Sequence, residues 1–275
     1  MLEAELLQQR HQFAAALERL DRTLLHAPDD VRALALRANI QLVRGQFMNA
    51  RRDCMALLAQ GAGALGTGCV AEVLAGTGDL ARAQTLLEPQ LAASNATGPV
   101  HSWLFSIDAD IADRRGDAAR AESSWRAALK ADQGNEPARA ELADALIRRG
   151  AAREALALVD GAPATVALLL RKLQAQIWLG ADARTATRRS LDERLEVDAL
   201  RGERLHLREA AELTLRIDKE PAAALPLATE NFEVQRETRD ARLLHDAAVA
   251  TADPVAGQTL TTWMAKSGYR DVYLR

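Results

Sequence analysis

The chain has 275 residues, a net charge of -3, and 48% hydrophobic but only 4% aromatic residues. Ala and Leu, the best helix formers, dominate, whereas the aromatic and β-branched residues that build sheets are too few for a large β domain, which excludes a mainly-β fold. The charge balance supplies no positive field for nucleic acid or an anionic membrane, and no apolar run reaches the ~18 residues of a membrane span.

At the N-terminus, MLEAELLQQR carries acidic residues where a secretion signal carries basic ones. Ala4, His11, Ala16, Leu20 and Pro28 fit a helical pair whose opening helix is cut short at Met1. Two readings stay open. Either the first helix is naturally short and the chain cytoplasmic, or Met1 replaces residues of a longer precursor and the chain is periplasmic or exported. Across 31–162 a repeat is clear. Gly45, Gly78, Gly116 and Gly150 are each preceded seven residues earlier by Ala38, Ala71, Ala109 and Ala143, and followed five later by Ala50, Ala83, Ala121 and Ala155. Nine residues after each glycine stands Cys54, Leu87, Trp125 or Val159. The glycines are 33, 38 and 34 residues apart, the long interval being absorbed by the loop SNATGP. From 165 to 204 the pattern degenerates, with Thr185 where the unit of Gly180 calls for alanine. Over 205–275 it returns as Lys219 with Ala224 and Ala228, and Ala252 with Gly257, before TTWMAKSGYRDVYLR, which caps the last exposed face.

This spacing predicts antiparallel helix pairs. Glycine closes the first helix because it alone takes the left-handed conformation without penalty, the alanines let the paired helices approach closely, and the bulky residue fills the space against the next unit. One unit leaves a face exposed, so units stack into an α-solenoid: a single all-α domain over 1–275, of about eight hairpins. Segments such as LADALIRRGAAREALALV and DADIADRRGDAARAESSWRAAL resemble the tetratricopeptide repeat family, which implies a right-handed superhelix and a concave face that binds peptides. In the class of such repeats that clamps a C-terminal carboxylate, five polar donors occupy fixed groove positions. Here those positions hold Ala35, Asn39, Cys69, Trp103 and Ile107, so only Asn39 agrees.

GAGALG spells G-x-G-x-x-G, but no strand precedes it, and the repeat phase makes its glycines an inter-unit loop rather than a nucleotide cradle. His11, His26, His101, His206 and His245 are scattered and form no metal-binding pair, so neither cofactor nor metal is expected. Cys54 and Cys69 fall in neighbouring helices. Two buried free thiols are the expectation, with a disulfide as the alternative.

Counting back from the turn glycines places Asn39, Glu72, Trp103, Ile107, Asp110, Asp113, Glu141, Asp144 and Ile147 on the concave face, beside Arg114 and Arg148. Carboxylates around apolar anchors predict a groove for a basic, partly apolar peptide or helix, and hence a non-catalytic protein-interaction module. A self-associating scaffold is the alternative. An enzyme built on Asp110, Glu141 and Asp144 is the third reading, and it demands a carboxyl with a strongly raised pKa.

Overall fold

A computed structural model describes residues 1–93, 96–201 and 205–274. Ser94 and Asn95 of the SNATGP loop, residues 202–204 of the degenerate unit and Arg275 of the cap lie outside the described residues. Sixteen α-helices are present among the described residues, and they pair in chain order. The pairs are α1 (Leu2–Gln9) with α2 (Phe13–His26), α3 (Val31–Val43) with α4 (Phe47–Ala59), α5 (Gly63–Gly76) with α6 (Leu80–Leu91), and α7 (Gly98–Arg114) with α8 (Ala118–Ala131). They continue as α9 (Glu136–Arg148) with α10 (Ala152–Val159), α11 (Val166–Trp178) with α12 (Arg184–Leu200), α13 (Leu207–Glu212) with α14 (Pro221–Val234), and α15 (Thr238–Thr251) with α16 (Pro254–Ser267). A π-helical turn, Leu213–Asp218, extends α13. Each helix packs on the next except α12, which α13 passes by to pack on α11, and first helices of neighbouring hairpins also meet, α3 on α5, α5 on α7, α9 on α11 and α13 on α15.

Local chemistry accounts for these elements. Asp30, Asp79, Asp117 and Asn135 accept a hydrogen bond from the backbone N–H three residues on, satisfying a donor that a helix start leaves free. The turn glycines Gly45, Gly78, Gly116 and Gly150 all have φ between +67° and +86°. All eight repeat alanines flanking them are 0% exposed, and Cys54, Leu87, Trp125 and Val159 are buried behind them. Outside this core the left-handed turn position is filled by His11, Lys219 and Ala252, at φ of 54° to 61°.

The degenerate unit keeps the design with a shifted register. Helix α12 begins four residues after Gly180, whereas α4 begins two after Gly45, and the buried small and bulky residues become Thr187 and Leu191 instead of Thr185 and Arg189. In the last hairpin Ala256 is buried in place of Gly257.

Two expectations are corrected together. Gly63 and Gly66 are not loop residues: the connection ends at Ala62, and α5 runs from Gly63. A Cβ on Gly66 would stand 2.9 Å from the Leu58 backbone nitrogen, so α5 lies directly on α4 only because that Cβ is missing. The close approach brings Cys54 and Cys69 to a Cα separation of 5.2 Å, and they form a disulfide instead of remaining free thiols.

The last elements return to the first. The Arg236 N–H donates to the Val43 carbonyl at 2.7 Å, and the Val272 N–H donates to the Arg114 carbonyl at 3.0 Å. Gly268 lies against the Thr77–Gly78 turn so closely that a Cβ on Gly78 would be 2.1 Å from the Gly268 carbonyl oxygen. Phe47 shares a core with Phe232, Trp263 and Tyr269. The tail after α16 therefore covers the turns of the third and fourth hairpins, Arg236 and Trp263 cover that of the second, and the inner faces of the early and late hairpins look across one partly open space.

Candidate functional site

That space is a chamber of about 510 Å³. Asn39, Glu72, Trp103, Ile107, Asp110, Asp113, Glu141 and Asp144 line it, brought together by the first helices α3, α5, α7 and α9. Ile147 does not line it and packs into the core between α9 and its neighbours. Trp103 is held in place by Gly68: a Cβ there would stand 2.4 Å from the indole ring.

The concave face is not the free acidic surface that the residue offsets predict. Asp113 and Asp144 are 5% and 7% exposed, and their charges are matched by arginines, most of them from the C-terminal half. Asp113 pairs with Arg242 and, at 3.2 Å, with Arg148. Arg242 reaches on to Asp271 at 2.7 Å, which fastens the tail to the same cluster. Asp144 pairs with Arg171 at 2.9 Å, Arg171 with Glu212 at 3.0 Å, and Arg239 bridges Glu212 at 2.7 Å to Glu141 at 3.2 Å. Arg171 is 0% exposed. Arg114 donates to the Ala75 and Arg270 carbonyls and stacks 4.0 Å from the Tyr269 ring centroid. Arg171, Arg239 and Arg242, with Glu209, Glu212 and Tyr269, are the site residues that local repeat phase does not reveal, whereas Arg114 and Arg148 follow from it. Arg239 and Arg242 do sit one helical turn apart, which places them on one face of α15.

Glu72 is the exception. Its Oε2 is buried and accepts no hydrogen bond, and it forms no ion pair among the described residues. Desolvation, with the like charges of Glu237 and Asp110, pushes this carboxyl up to about 8, against a partial pull downward from Trp103. Burial and Asp144 push Glu141 up to about 8 as well, against the pull of Arg171, Arg148 and Arg208, but Glu141 has an ion pair, with Arg239 at 3.2 Å. Glu209, beside His206 and Arg208, is held down to about 2. The chamber thus combines a network of ion pairs with a carboxyl, Glu72, that no arginine or lysine among the described residues meets. Asp110 stands near it, 39% exposed and only 3.4 Å from Arg114. No helix among the described residues is long and apolar enough to cross a membrane.

Comparison with protein-family models finds none that matches the chain, and comparison with curated proteins finds no match either.

Proposed function

We propose that the chain is a non-catalytic protein-interaction module that accepts a basic, apolar-flanked segment on the Glu72 side of its inner chamber. One observation carries this reading: Glu72 is a part-buried carboxyl, its Oε2 fully so, that no cation among the described residues meets, in a cluster where Asp113, Glu141 and Asp144 each have one. A lysine or arginine from a partner is the group it lacks, and Trp103, whose indole N–H hydrogen-bonds to Glu72, supplies apolar surface beside it. The resemblance of the repeat spacing to tetratricopeptide repeats, which bind through concave faces, adds to this. The Cys54–Cys69 bond is of the kind that persists in oxidising compartments, which supports an exported chain.

The test is calorimetric titration with a synthetic Leu/Lys amphipathic peptide in two buffers of different ionisation heat. Binding should release a proton, because a bound cation favours ionised Glu72, and Glu72→Gln should abolish the release and weaken binding. An absence of binding, or binding that Glu72→Gln leaves unchanged, contradicts the reading.

A second reading has an observation in its favour. An enzyme reading built on Asp110, Glu141 and Asp144 is supported by the raised carboxyls of this chamber, Glu141 and Glu72 both being pushed to about 8. It predicts turnover of a small hydrolysable substrate that Glu72→Gln removes at unchanged melting temperature.

A further inference from the structure

Opposite in character to the chamber, a second concavity of about 1060 Å³ lies on the outer seam where α16 meets the start of α4. Its floor is Phe47, Phe232 and Trp263, and Met48 and Val255 on its rim are 66% and 73% exposed. Along α16, Val255, Thr259, Thr262 and Lys266 recur at helical spacing and form one wall about 16 Å long.

Two polar groups in this groove have donors to spare. The Trp263 indole Nε1 is buried without an acceptor, in a residue only 8% exposed. The Arg236 guanidinium donates from Nε to the Phe232 carbonyl at 3.1 Å and pairs with no carboxylate among the described residues. Burial, with the like charge of Arg44, depresses its pKa, so the cation is held in a place that disfavours it. Both residues pack on Gly45: a Cβ there would be crowded, 3.0 Å from Trp263 Nε1 and 3.3 Å from Arg236 Cβ and Cδ, so the absent side chain lets the indole N–H and the Arg236 stem sit side by side. Lys266 adds a second cation, and none of the lining residues is Asp or Glu. A half-buried cation that meets no carboxylate and a buried, unused N–H donor over an apolar floor ask for an anionic acceptor attached to an apolar body.

We propose that this outer groove docks a peptide segment that sets a carboxylate side chain next to a bulky apolar one, the carboxylate meeting Arg236 and the apolar group seating between Met48 and Val255. Charge complementarity selects the acidic residue. The uncharged Gln46 and Asn49 opposite Gln258 and Thr259 suit a peptide backbone better than an alkyl chain. Arg236 and Phe47 also line the inner chamber, so they form a wall shared by the two sites.

The experiment is selection of displayed random peptides of about a dozen residues on the full chain, followed by affinities of the synthetic winners. Enriched sequences should place Asp or Glu beside Leu, Phe or Trp, and replacing that acid by its amide should cost about tenfold or more in Kd. Met48→Glu and Lys266→Glu, both distant from the inner carboxylates, should each weaken binding with the melting curve unchanged. Arg236→Gln should do the same, and the exposed pair keeps the test decisive if that variant folds poorly. Enrichment of basic sequences, an absence of enrichment, indifference to Met48→Glu and Lys266→Glu, or equally tight binding of decanoate, a simple carboxylate amphiphile, would each overturn the proposal.

Discussion

Glu72 shows how one carboxyl changes character with its surroundings. On a solvated helix it would be a charge available to any cation, yet desolvation pushes it from 4.5 to about 8. The folded chain then keeps a proton that the unfolded chain gives up above 4.5, so this group's contribution to stability is full at lower pH and is lost as pH rises through 8. Glu72→Gln removes that loss. The melting temperature of the variant relative to the native chain should therefore climb steadily from pH 5 to pH 8, measured by circular dichroism across the series. A difference that stays constant with pH would show that Glu72 is ionised in the fold. The sequence identifies Glu72 as an inner-face residue, but its lack of a partner depends on which arginines arrive from 130 or more residues away, and no local pattern encodes that.

Elements follow the sequence closely wherever the glycine and alanine phase is kept, because left-handed turns and fully buried alanines are demands of the backbone itself. The departures have local causes. Two extra residues after Gly180 move the buried pair to Thr187 and Leu191, and the glycines of GAGALG serve helix contact instead of a turn. That contact is also what makes the Cys54–Cys69 bond, which ties α4 of one hairpin to α5 of the next across 15 residues. Closing a loop of this length stabilises a fold by about 3 kcal/mol through the unfolded chain. Reduction, or the Cys54→Ala/Cys69→Ala pair, should lower the unfolding free energy in urea by roughly that amount. An unchanged midpoint would mean the cysteines are not joined, and mass before and after alkylation would report the same directly.

For the molecule as a whole, closure is the property that repeat phase leaves out. Stacking hairpins sets the path of the chain, and only after it has come round do α15, α16 and the tail face the second, third and fourth hairpins. There Arg239 and Arg242 neutralise Glu141 and Asp113, the Gly268 backbone fits the Gly78 turn, and an expected acidic groove becomes an arginine-lined chamber in which no cation among the described residues meets Glu72. Everything proposed for the inner chamber and the outer seam depends on this closure. Two amides mark it, Arg236 donating to Val43 and Val272 donating to Arg114. Residue-resolved hydrogen exchange of the native chain is the most direct test. Closure predicts that both amides are protected to the level of the helix cores, Val272 included although it lies close to the C-terminus. Exchange of these two at the rate of an unstructured tail, with the helices still protected, would show an open stack of hairpins and contradict the account.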